Sequence, residues 1–116
     1  MATDSSCIFC MIVRKEIPAH EVLRDEHVVA FHDLNPQAPT HVLVVPTEHA
    51  AHLSDFMTSA TDARAARILA AASDIGRRFG RDGYRVVINE GPDGGQTVHH
   101  LHLHVLAGRH MTWPPG

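Results

Sequence analysis

Aromatic side chains are scarce in this chain: one Trp, one Tyr and four Phe stand among 116 residues. Any core is therefore aliphatic, built on Val, Leu, Ile and Ala. Cysteine is scarcer. The two present, Cys7 and Cys10, lie too close together for the disulfide framework of a small secreted domain. No apolar run approaches the roughly 20 residues of a membrane span. The opening residues 1–6 are polar, lack the basic-then-apolar order of a secretory signal, and read as a flexible N-terminus. These absences predict a reducing, cytoplasmic setting with no membrane partner. Charge of one sign is also missing, the net charge being −3 with neutral histidine. Without a broad basic field no nucleic-acid partner is expected, and a small anionic ligand must be met by local donors. The length suits one domain, 1–116.

Histidine is what the chain has in excess. There are eleven, five of them between His99 and His110. Their titration near neutrality points to chemistry at neutral pH. Residues 9–15 predict a short helix, ended before Pro18. Residues 21–24 and 27–32 read as strands around Asp25-Glu26, and Asn35-Pro36-Gln37-Ala38-Pro39 reads as a loop. The β-branched run T-H-V-L-V-V at 40–45 is stopped by Pro46. From 59 to 79 the period becomes helical, with Ala65, Ile68, Leu69, Ala72, Ile75 and Phe79 on one face, and Gly80 and Gly83 mark the stop. Residues 84–89 resume strand character, and E-G-P-D-G-G-Q at 90–96 is a glycine-rich loop. V-H-H-L-H-L-H-V-L at 98–106 alternates with period two and predicts the last strand. The fold class is α+β: a five-stranded, mainly antiparallel sheet with one long and one short helix, and a tail at 111–116.

On such a strand His100, His102 and His104 share one face, while Leu101, Leu103 and Val105 share the other. Three imidazoles so spaced admit metal chelation or covalent catalysis, in which a neutral ring attacks phosphorus. The bland reading is a polar strand face in solvent.

The run His-φ-His-φ-His-φ-φ, with φ apolar, resembles the signature of the histidine-triad (HIT) superfamily. C-I-F-C at 7–10, F-H-D-L-N-P-Q-A-P-T-H-V-L-V-V-P at 31–46, V-I-N-E-G-P-D-G-G-Q at 87–96 and the W-P-P-G ending resemble its Hint branch in order and spacing. The likeness runs from about Cys7 to Gly116.

The resemblance implies a HIT-like fold and hydrolysis of purine nucleoside phosphoramidates to AMP or GMP plus an amine. It makes His102 the nucleophile, held by the backbone carbonyl at His100, and gives the non-bridging phosphate oxygens to His104. His41 resembles the upstream histidine that supports the triad. Asn89, Gly95, Gln96 and Thr97 resemble the phosphate-contacting loop, Thr97 standing where relatives often carry Ser. Asp33 resembles the ribose acceptor. Ile8, Phe9, Ile12, Phe31, Leu34 and Leu43 resemble the nucleobase pocket, although Ile8, Ile12, Phe31 and Leu43 read by pattern alone as core. Asp33 as a turn cap and Gly94-Gly95 as a hairpin are the plainer alternatives.

No cofactor is implied for catalysis. A structural Zn²⁺ on Cys7, Cys10, His49 and His100 is implied by some bacterial relatives; the alternative is two reduced thiols in the core. A homodimer is implied too, with Trp113 in the tail near the partner's site. Three competing readings stand beside this one. They are a dinucleoside polyphosphate hydrolase resembling Fhit, a nucleotide- or zinc-binding interaction module, and a hydrolase using the His strand as metal ligands. His20, His27, His32, His52, His99 and His110 receive no role.

Overall fold

The computed structural model describes residues 6–116, so most of the N-terminal segment 1–6 lies outside the described residues. The elements are α1 (Ile8–Val13), β1 (Glu21–Arg24), β2 (Val28–His32), β3 (Thr40–Pro46), α2 (Leu53–Ser59), α3 (Asp62–Phe79), β4 (Tyr84–Ile88) and β5 (Leu103–Ala107). One sheet in the order β1-β2-β3-β5-β4 carries all five strands, every neighbouring pair antiparallel.

Both faces of the central strands are covered, which explains the unbroken apolar run of β3. Val28, Ala30, Val42, Val44, Leu103 and Val105 face α2 and α3, where they meet Phe56, Ile68, Ala71, Ala72 and Ile75. Val29, Phe31, Leu43 and Val45 face the other way and pack with Phe9 and Ile12 of α1. Helix α3 opens on Thr61, whose hydroxyl accepts the Arg64 N–H at 3.2 Å, and closes on Arg77 and Arg78. Both ends thus match the helix dipole. Helix α1 is short, and its C-terminal carbonyls are capped from the sheet: Arg24 donates to Val13 and Ile12 at 2.9 and 3.2 Å.

Four expectations change. The last strand starts at Leu103 rather than 98, because extension would set Leu101 opposite Pro46, which has no N–H to give. Leu101 donates instead to the Ala50 carbonyl at 2.7 Å. A second short helix, α2, precedes the long one. It escapes pattern reading because Phe56 is its one buried side chain. The long helix begins at Asp62 rather than 59. Leu69, expected on the inner face, is 57% exposed.

Candidate active site and metal centre

The site lies on the α1 side of the sheet. Register places His104 beside Leu43 on β3, and His41 on the same strand opposite Leu106. His102 precedes β5, is 6% exposed, and meets the His104 ring at 4.9 Å between centroids. Its Nδ1 lies 2.8 Å from the backbone carbonyl of His100. A carbonyl only accepts, so Nδ1 carries the proton and Nε2 keeps its lone pair.

A second chain of bonds fixes the neighbouring rings. The Gln37 N–H donates to His41 Nδ1 at 3.0 Å, so in the neutral ring the proton sits on Nε2. His41 Nε2 then donates to His104 Nδ1 at 2.9 Å, which leaves His104 with an Nε2–H. Asp33 lies 3.5 Å from His41 Nε2. Burial pushes the His104 imidazole down to about 4, helped by His102 and His41, and burial also lowers His41. Both rings are therefore neutral at pH 7. Asp33, His41 and His104 are close enough to hold a metal ion. Ligation through His41 Nε2 would, however, need a proton on Nδ1, where the Gln37 amide already donates. The hydrogen bonds favour a proton-ordered pair over a metal-dependent reaction centre.

Beside these rings lies a cavity of about 250 Å³ lined by Phe9, Ile12, Phe31, Asp33 and Leu43, with Ile8 and Leu34 also on its wall. These are the seven residues expected around a nucleoside. Phe9 joins the cavity to the imidazoles, its ring meeting Phe31, His102 and His100 edge-on at 5.5, 5.1 and 5.9 Å. Ile8 and Leu34, 49% and 95% exposed, form its rim. His20 and His32, given no role by the sequence, also line it. His32 sits in the block F-H-D beside Asp33, which is a signal of position. His20 lies in a connecting stretch where nothing marks it.

The glycine-rich loop is fastened inward. Asn89 directly follows Ile88, the partner of Leu103, and its amide donates to the Gly94 carbonyl at 2.6 Å. Any Cβ on Gly94 would strike the Glu90 carbonyl, so only glycine permits this turn. The N–H groups of Gly95 and Gln96 bond to the carbonyls of Pro92 and Gly91. The Gln96 side chain donates to Ala51 and Val98 at 2.7 and 3.0 Å. In this structure Gly95 and Gln96 therefore close the loop rather than present donors to an anion. Thr97 is exposed. Helix α2 anchors the same loop, Ser54 bonding the Glu90 carboxylate through N–H and hydroxyl at 3.0 and 2.8 Å.

His100 leaves the row of rings. Its Nε2 donates to the Pro46 carbonyl at 3.0 Å, which turns the Nδ1 lone pair toward Cys7 and Cys10 Sγ, 3.2 and 3.4 Å away. His49 Nδ1 lies 3.1 Å from His100 Nδ1 and 3.3 Å from Cys10 Sγ. Tetrahedral zinc, with bonds of about 2.0 Å to nitrogen and 2.3 Å to sulfur, separates its ligands by roughly 3.3–3.8 Å. Two thiols and two imidazoles at these distances, with His100 already in the ligating tautomer, fit that ion. Four protein ligands fill its shell, so such a zinc is structural. Burial pushes His100 down to about 4, which keeps its ring neutral at pH 7.

Comparison with known proteins gives consistent matches. The HIT domain model matches residues 14–111. A 14 kDa zinc-binding protein of Zea mays is 47% identical over 97% of this chain and 90% of its own length. An adenylylsulfatase HINT1 of Arabidopsis thaliana is 40% identical, over 98% of this chain and 79% of its own. The crystal structure of a HIT family hydrolase from Legionella pneumophila Philadelphia 1 superposes with a TM-score of 0.84 at 43% identity. That match covers 96% of this chain and all of the other.

Proposed function

This chain belongs to the HIT domain family, and from that premise we propose that it hydrolyses the P–N bond of purine nucleoside 5′-phosphoramidates. The observation that carries the reading is the His100 carbonyl on His102 Nδ1. It leaves a buried nucleophilic nitrogen beside a cavity with aromatic walls and a carboxylate. His102 Nε2 attacks the α-phosphorus and the P–N bond breaks. The amine departs with a proton drawn from solvent and relayed by the exposed Thr97 hydroxyl. Water then breaks the N–P bond of the nucleotidyl-histidine: its hydroxyl passes to phosphorus to give AMP, its remaining proton returns to solvent, and His102 leaves as the neutral ring. His104, as an Nε2–H donor, stabilises charge on the non-bridging oxygens. Asp33 accepts from the ribose, while Phe9, Ile12, Phe31 and Leu43 hold the base against the exposed rim of Ile8 and Leu34. Asn89 and the loop at 94–97 border the phosphate. Zinc held by Cys7, Cys10, His49 and His100 would support α1 and would take no part in the reaction.

The leaving group is the open choice. The Arabidopsis relative, named an adenylylsulfatase, makes sulfate on an adenylyl group the second candidate. Dinucleoside polyphosphates are the third, through the same nucleophile. Comparing kcat/KM for adenosine phosphoramidate, adenylyl sulfate and diadenosine polyphosphates ranks them, and we expect the phosphoramidate to lead. His102→Ala should abolish turnover while AMP still binds; retained turnover would remove His102 as the nucleophile.

A further inference from the structure

The loop from Asp33 to Pro39 docks on the turn after β5 at two points. Gly108 has φ +96°, and a Cβ there would stand 2.8 Å from the Cβ of Pro39. One residue later, Arg109 Nε donates to the Gln37 carbonyl at 3.0 Å, while its Nη1 reaches the His110 carbonyl at 3.2 Å. Gln37 is the residue whose N–H donates to His41 Nδ1.

The bonds thus run in one direction, from the Arg109 guanidinium through Gln37 to His41 and on to His104. The held carbonyl and the donating N–H belong to the same residue, with only the Gln37 φ and ψ between them, and Pro36, its own φ locked, stiffens the chain on the N–H side. Should that N–H swing away, His41 Nδ1 loses the donor that keeps it unprotonated. The other tautomer then becomes available, and its Nε2 lone pair faces His104 Nδ1. His104 would have to move its proton to Nδ1, and its Nε2 would meet a phosphoryl oxygen with a lone pair instead of a hydrogen.

We propose that Arg109 is a positioning residue: by holding the Gln37 carbonyl on the turn after β5, it keeps the Gln37 N–H on His41, sets the His41 tautomer and makes His104 a donor to phosphate. The proposal rests on the reading of His104 given above. Nothing in the sequence isolates Arg109, which is exposed and distant from the triad in kind as well as in contact.

The test has two arms on the full-length protein at neutral pH. Ring-nitrogen ¹⁵N spectra of the substrate-free protein should show His41 and His104 each as one Nε2–H tautomer. In Arg109→Ala the two ring nitrogens of His104 should shift toward each other, signalling a mixture. In the same variant kcat for adenosine phosphoramidate should fall roughly tenfold, the scale of one lost hydrogen bond, with KM changed less than about twofold. Arg109→Lys, which keeps a donor, should restore most of both readouts. An unchanged nitrogen pattern in Arg109→Ala overturns the proposal, and so does a changed pattern with unchanged kcat. If the wild-type chain leaves the phosphoramidate intact, the functional reading fails, and the ¹⁵N arm still decides whether Arg109 sets the tautomers.

Discussion

Histidine in this protein is specified by what the backbone offers it. A carbonyl opposite His102 and another opposite His100 each claim one ring nitrogen, and an amide claims the third case, His41. The rings differ in role because each tautomer is fixed by a group that can only accept or only donate. A pH prediction follows at this scale. Burial lowers His100 and His104 to about 4 in the folded chain, against about 6.5 when unfolded. Below pH 6.5 the unfolded state binds protons that the native state refuses. Stability of the metal-free protein is therefore whole above pH 6.5 and drains as pH falls toward 4. Each ring contributes a slope of up to about 1.4 kcal/mol per pH unit. Glu21, held below the usual carboxylate range by its bond to Arg24, weakens in a lower window. Urea unfolding at pH 7, 5.5 and 4.5 checks this, and a flat profile would show that the rings do not stay neutral when buried.

At the scale of elements, α1 is the vulnerable piece. Its six residues cannot hold a helix alone. It is fixed by Cys7 and Cys10 at its start, Arg24 at its end and Phe9 against the histidines. Removing zinc, or Cys7→Ala, should lower Tm by more than about 5 °C and weaken AMP binding. Because the metal would hold the cavity wall and not the phosphorus, turnover at saturating substrate should survive. One zinc per chain, lost in the variant, is the expected metal analysis; unchanged Tm and AMP affinity on metal removal would separate the site from the pocket. The elements also show where sequence reading succeeds. β3, an unbroken β-branched run, and the helix at Asp62–Phe79, with its strong period, are legible within two or three residues. α2 has one buried side chain and no period to see. The late start of β5 depends on Pro46, a residue far off in the chain.

For the whole molecule, the sheet has an open edge. β4 is the last strand of the order and carries Tyr84 and Val86 at 38% and 37% exposure. Tyr84 lies against Gly76 of α3, a contact so close that a Cβ at Gly76 would strike its ring. An open β4 edge suits self-pairing, the expected homodimer. Val86→Lys should give a monomer by light scattering; a dimer of unchanged affinity would move the interface elsewhere. Trp113 is 81% exposed, its tail held by Arg85 through the Thr112 carbonyl at 2.9 Å. Deleting residues 111–116 should alter the ranking of leaving groups more than Tm. Among the described residues, no helix is long and apolar enough to cross a membrane.

The order of strands and long helix, the aliphatic core and the identity of the histidine block were decided by sequence alone. Alternation and helical period act through neighbours in the chain, and local physics reads them. Tertiary structure decided that His100 turns to the cysteines while His102 and His104 stay together. It also decided that Gln96 reaches the Ala51 carbonyl and that Arg109 reaches Gln37. Each depends on a hydrogen-bond partner tens of residues away, and a pattern confined to neighbours carries no record of which carbonyl or amide the fold will bring opposite a ring.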